Sequence, residues 1–122
     1  MKGKRINKIF TERDQKQFQG SILKTYIYFE DGSVYELLCF EENVYVRTPE
    51  YLPKTSSLKE EPMGKLSQHP ITGVKYIYRK STGLTCGICL MLDDNHQIVT
   101  YNINNETILI IDRNDINQDY EI

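Results

Sequence analysis

Two histidines, three cysteines and a carboxylate-rich end are the side chains of this 122-residue chain that could do chemistry. Cys86-Gly87-Ile88-Cys89 has the C-x-x-C spacing of redox dithiols and of half a zinc site. A redox dithiol wants its first cysteine at a helix N-terminus, where the dipole lowers the thiol pKa. Here both lie in an apolar run with strand period, and strand residues three apart face opposite sides unless the strand bulges at Gly87. A zinc site would have to recruit His96 with Cys39 or His69, yet there is no second C-x-x-C and no histidine pair at ligand spacing. The cysteines therefore read as buried structural thiols, and neither a metal nor another cofactor is expected. His69 and His96 have the chemistry of a general acid and base, as in a metal-free ribonuclease. His69 precedes Pro70 in a loop and His96 follows Asp93-Asp94-Asn95, so both read as exposed turn residues. With no glycine-rich phosphate loop and no Gly-x-Ser-x-Gly, the reading is non-enzymatic. The alternative is a small β-rich enzyme or ligand-binding domain using His69, His96 or the Cys86–Cys89 pair.

Charge is distributed unevenly. Residues 1–24 carry seven Lys/Arg and two Asp/Glu, residues 25–92 seven and eight, and residues 93–122 one and seven, which gives +5, −1 and −6 and sums to the net −2. Such asymmetry predicts either a charged partner or the pairing of the two chain ends with each other. Asp93, Asp94 and Glu106 sit at or beside turns, and Asp112, Asp115, Asp119 and Glu121 follow the last long strand. Carboxylates displayed in this way imitate a phosphate backbone and would steer onto a cationic cleft. Tyr120 would supply an apolar anchor there, and Tyr51, in a long loop, is a second contact candidate. An acidic chain without a basic stripe argues against the protein itself binding nucleic acid.

These groups need a scaffold, and composition points to strands. The chain has no Ala, the best helix former, but 14 Ile, 5 Val, 9 Thr and 9 Tyr, which suit a pleated sheet. Asp31-Gly32 predicts a two-residue hairpin turn between strands 22–30 and 33–40, with a third strand at 44–48. Residues 49–71 hold all four prolines and read as a long connection with one helical turn. Runs at 74–79, 86–92, 97–103 and 107–112 form a second meander, in which 86–92, apolar on both faces, is central. Val74, Tyr76 and Tyr78 alternate with Lys75, Ile77 and Arg79, the pattern of a more peripheral strand with one wet face. Lys-Thr-Tyr-Ile-Tyr at 24–28 and Val-Lys-Tyr-Ile-Tyr at 74–78 hint at two related units. Ile6, Ile9 or Phe10, Arg13 and Phe18 have rough helical spacing and predict a short N-terminal helix over 6–19. The expected fold is mainly β, an antiparallel sandwich or strongly curved sheet of about seven strands in two meanders (22–48 and 72–112) in one domain, with residues 113–122 as an acidic tail.

A small, acidic, β-rich chain with an acidic surface segment and no active-site signature resembles the immunity proteins of bacterial polymorphic-toxin and contact-dependent growth-inhibition systems. Its richness in Lys, Asn, Ile and Tyr also resembles proteins of low-GC bacterial genomes. The resemblance implies a protein that binds a cognate toxin domain, such as a nuclease, and occludes it; it assigns no residue a role. The start MKGKRINKIF meets Thr11-Glu12-Arg13-Asp14 where a signal peptide would turn apolar, and the longest aliphatic run is Ile108–Ile111, so a cytoplasmic protein with no membrane segment is expected.

Overall fold

The computed structural model describes residues 1–14, 21–40, 43–103, 106–111 and 120–121. β1 (Ile6–Arg13), β2 (Ile22–Phe29), β3 (Val34–Phe40), β4 (Asn43–Arg47) and β5 (Lys59–Glu61) form one antiparallel sheet in the order β4-β3-β2-β1-β5. β6 (Ile71–Arg79), β7 (Thr85–Leu92), β8 (Gln97–Ile103), β9 (Glu106–Ile111) and β10 (Tyr120–Glu121) form the second, in the order β10-β6-β7-β8-β9. The chain is mainly β, as its composition predicts, and β7 is the central strand of its sheet. No helix among the described residues is long and apolar enough to cross a membrane.

The two-residue period of a strand decides what each sheet offers the other. Ile9, Ile27 and Leu37 from the first sheet meet Ile88, Leu90 and Ile98 from the second, all fully or almost fully buried. Each such side chain stabilises the fold by roughly 1.5–3 kcal/mol relative to exposure, so this shared interior holds the sandwich together. The opposite face of the second sheet carries another buried cluster, in which Ile77, Cys86, Cys89, Val99, Tyr101 and Ile110 pack with Tyr120. A smaller cluster of Phe10, Tyr26 and Val34 belongs to the first sheet.

Residues 6–13 are a strand, which corrects the expected N-terminal helix; residues 15–19 lie outside the described residues. The register with β2 slips between Ile6 and Lys8, so the strand carries one extra residue there. That bulge puts Ile6 and Ile9, three apart, into the same core, which mimics a helical spacing. The count of about seven strands is low because β1, β5 and β10 join the sheets. Lys59-Glu60-Glu61 has no strand character; it pairs with Thr11, Phe10 and Ile9 along the edge of β1. The rest of the 49–71 connection contains single 3-10 turns at Thr55–Ser57 and Leu66–Gln68, the second anchored by the buried Leu66.

The β2–β3 connection also differs. Phe29 N–H donates to the Ser33 carbonyl and Gly32 N–H to the Phe29 carbonyl, so the loop is Glu30-Asp31-Gly32, three residues. Gly32 takes the left-handed position (φ +87°) that closes such a loop, and the Asp31 carboxylate accepts from Ser33 N–H at 2.9 Å.

The two Tyr-Ile-Tyr segments are placed differently. Ile27 faces the inter-sheet core, whereas Ile77 faces the outer cluster. Val74, Tyr76 and Tyr78 are 40–47% exposed. Among the described residues the first sheet makes its main contacts with β7, β8 and β9.

Candidate functional site

The end of the β6–β7 hairpin brings together residues that lie far apart in sequence. Ile71 pairs with Leu92, so the residues just before β6 and just after β7 are neighbours. Asp93 N–H donates to the Pro70 carbonyl at 3.2 Å, and Leu92 N–H to the His96 carbonyl at 2.8 Å. Both the 68–70 segment and the 93–96 turn are thereby tied to the sheet. Asp94 (φ 56°) and Asn95 (φ 64°) are left-handed, a conformation Asp and Asn reach more readily than most residues.

On this frame His69 Nδ1 lies 2.6 Å from Asp93 Oδ1 and 3.8 Å from Asp94 Oδ2. The His96 ring packs against the His69 ring with centroids 4.2 Å apart and planes tilted by 39°. The histidines are therefore not isolated turn residues: the His69 side chain is 18% exposed and sits within a four-residue cluster. Ring centroids 4.2 Å apart leave no room between the two imidazoles for the scissile phosphate that a two-histidine ribonuclease would hold there. Within the cluster the Asp94 side chain is the most open group, 78% exposed, and Asp93 is 43% exposed.

The other predicted contact residues are dispersed. Glu106 is exposed at the start of β9, the far end of the β8–β9 ladder from the 93–96 turn. Tyr120 is buried against Tyr101, ring centroids 5.1 Å apart, so it serves the core rather than an exposed anchor. Glu121 lies in β10 opposite Tyr78. Asp112, Asp115 and Asp119 lie outside the described residues. Tyr51 is 82% exposed, with Leu52 at 64% beside a shallow hollow of about 330 Å³ lined by Val34, Tyr35 and Pro49.

N-terminal cations meet carboxylates from the middle of the chain. Lys4 pairs with Asp31 at 3.0 Å, Lys8 with Glu60 at 3.3 Å and Arg13 with Glu61 at 2.7 Å. Two Ser33 hydrogen bonds, side-chain then backbone, with Lys4 beside them, hold the Asp31 carboxyl down at about 2. Arg13 and Glu61 border a cleft of about 440 Å³ between the sheets, walled by Ile22, Ile108 and Leu109. Thr11 Oγ1 donates to Glu61 at 2.8 Å and accepts from Arg13 Nε at 3.1 Å. Burial alone would raise the Glu61 carboxyl; the Arg13 and Thr11 hydrogen bonds outweigh it, and the net shift is downward. Neither this trio nor the His69 cluster stood out in the sequence. The cluster had a signal, since residues flanking an antiparallel hairpin at the same end must be neighbours.

The thiols carry no activated chemistry. Burial pushes Cys39 up to about 12 and Cys86 up to about 11, and it raises Cys89 as well. The β6–β7 register slips between Ile77 and Tyr78, opposite Cys86 and Gly87, and Cys86 and Cys89 fall in the same packed cluster. Both are free thiols. No protein-family model, curated protein or solved structure matches this chain.

Proposed function

We propose that this protein acts by binding, as an immunity-type inhibitor that occludes a basic protein partner, a cognate toxin domain of the nuclease kind. The observation that supports this reading is the open Asp94 carboxylate on a turn tied at both ends to the sheet. A carboxylate carried on a fixed turn leaves little backbone to order when it meets a cation, and complementary charge speeds encounter and fixes register. Pairing of Lys4 with Asp31 and of Lys8 with Glu60 supports it further, because among the described residues these cations meet carboxylates outside the 93–122 segment. That segment carries seven carboxylates and one Arg. Asp93–Asp94 and Glu106 are separated by the length of β8, roughly 20 Å at ~3.3 Å per residue. One interface of standard size, about 800 Å² per partner, spans that distance.

The test uses the full chain as bait in lysate of its own organism, eluted by a salt gradient and read by mass spectrometry, with partner affinity then measured for Asp93→Asn/Asp94→Asn/Glu106→Gln. A single basic protein in 1:1 ratio, bound about tenfold or more weakly by the variant at low salt and with a flatter salt dependence, is the expected result. No partner on folded bait, or an unchanged affinity in the folded variant, overturns the proposal.

A further inference from the structure

The cluster at the end of the β6–β7 hairpin also has the donor set of a metal site. We propose that His69 Nδ1, Asp93 Oδ1 and Asp94 Oδ2 bind a divalent transition-metal ion of the zinc type. One ligand atom from each of the three residues lies within 4.8 Å of the other two, and Nδ1 stands 2.6 Å from Asp93 Oδ1 and 3.8 Å from Asp94 Oδ2. Ligands of a zinc ion sit ~2.0–2.2 Å from it, so their mutual separations cannot exceed roughly 4.4 Å, and small rotations of two surface carboxylates bring this set within that limit. The shortest separation, 2.6 Å, is a hydrogen bond between imidazole and carboxylate. The ion takes the place of that proton and relaxes the pair apart.

Three features favour metal over a hydrogen-bonded turn alone. The donors come from two segments each fixed by main-chain bonds to the sheet, so little ordering is needed when the ion arrives. Successive side chains of an extended strand point to opposite sides. The left-handed Asp94 breaks that alternation, and both carboxylates reach the same imidazole nitrogen. Finally, two carboxylates and a neutral imidazole balance a dication, and three protein ligands leave a position for water or for a side chain of another molecule.

The donor types select the ion. Imidazole suits zinc, copper and nickel, whereas calcium asks for six to eight oxygens and magnesium for octahedral oxygen coordination. His96, packed against His69, lies close enough that its loss should alter the ion's surroundings without removing a primary ligand. The inference shares Asp93 and Asp94 with the partner reading, and His69→Ala tells the two apart, because it removes a metal ligand and leaves both carboxylates in place.

The experiment is calorimetric titration of the chelator-stripped full chain with ZnCl2, alongside Co²⁺ binding followed by its visible absorption. One Zn²⁺ per chain is expected, with affinity falling at least ~10-fold in His69→Ala and in Asp93→Asn/Asp94→Asn, and unchanged in Cys86→Ser/Cys89→Ser. Far-ultraviolet circular dichroism establishes that each variant is folded; His69→Gln, closer in shape, replaces His69→Ala if that variant unfolds. No saturable Zn²⁺ binding overturns the proposal. So does binding that survives loss of His69 or disappears with the cysteines, and so does Mg²⁺ binding as tightly as Zn²⁺.

Discussion

Gly87 lies directly across from Tyr101 in the β7–β8 pair, with no room between the two for a side chain. A Cβ built on Gly87 would come within 2.4 Å of the Tyr101 Cβ and 2.5 Å of the Thr100 carbonyl oxygen. Backbone cannot step aside as a flexible side chain can. Gly87→Ala is therefore expected to cost about 1–3 kcal/mol or more, seen as a lower urea midpoint. Gly73→Ala is the control. Its new methyl meets only the flexible end of Met91, at 2.9 Å, and should cost distinctly less.

Thr100 presents a different defect. It is 2% exposed, and its hydroxyl has no hydrogen-bond partner among the described residues. A buried hydroxyl without a partner carries its full desolvation cost. Thr100→Val keeps the shape and removes that cost, so it should stabilise the fold by about 1 kcal/mol in chemical denaturation. A loss of stability would mean that the hydroxyl is satisfied in solution.

Acid should loosen the edge where β5 meets β1. The Glu61 carboxyl is depressed in the folded protein, so its contribution is fully present above the unfolded carboxylate value, ~4.3. It is lost as pH falls below that value through the folded pKa. Asp31, held at about 2, behaves in the same direction over the window from ~3.9 downward. Unfolding midpoints measured from pH 6 to pH 2 should thus fall less steeply for Glu61→Gln than for the parent, once its lower starting stability is subtracted. Equal slopes would show that the Arg13–Glu61–Thr11 trio does not couple to folding.

Thiol labelling separates structural from reactive cysteines. With all three thiols buried and raised, attack by a disulfide reagent at pH 8 should be slow in native buffer and become fast only as denaturant unfolds the chain. Fast labelling of one cysteine in the native protein would reopen a redox role for Cys86 and Cys89.

Much of the second sheet could be read along the chain, because its strands are apolar, β-branched and punctuated by turn residues at short range. The central place of β7 followed from its two apolar faces. The β1 bulge hid a strand behind a helical spacing, and the Asp31-Gly32 turn gained a residue because Gly32 closes a three-residue loop. β5 was invisible for a stronger reason: Lys59-Glu60-Glu61 becomes a strand through backbone bonds to an edge that exists only once β1 is in place. The candidate site divides in the same way. Its residue types, carboxylates beside a turn and two histidines, are plain in the sequence. Their convergence is not, because His69 and Asp93 are 24 residues apart and meet through the pairing of Ile71 with Leu92. Local propensity and period determined that this protein is built of strands and where its charge collects. Register, bulges and the packing of one sheet on the other decided which of those side chains face each other, since hydrogen-bond pairing between distant segments is a property of the folded sheet and of no segment by itself.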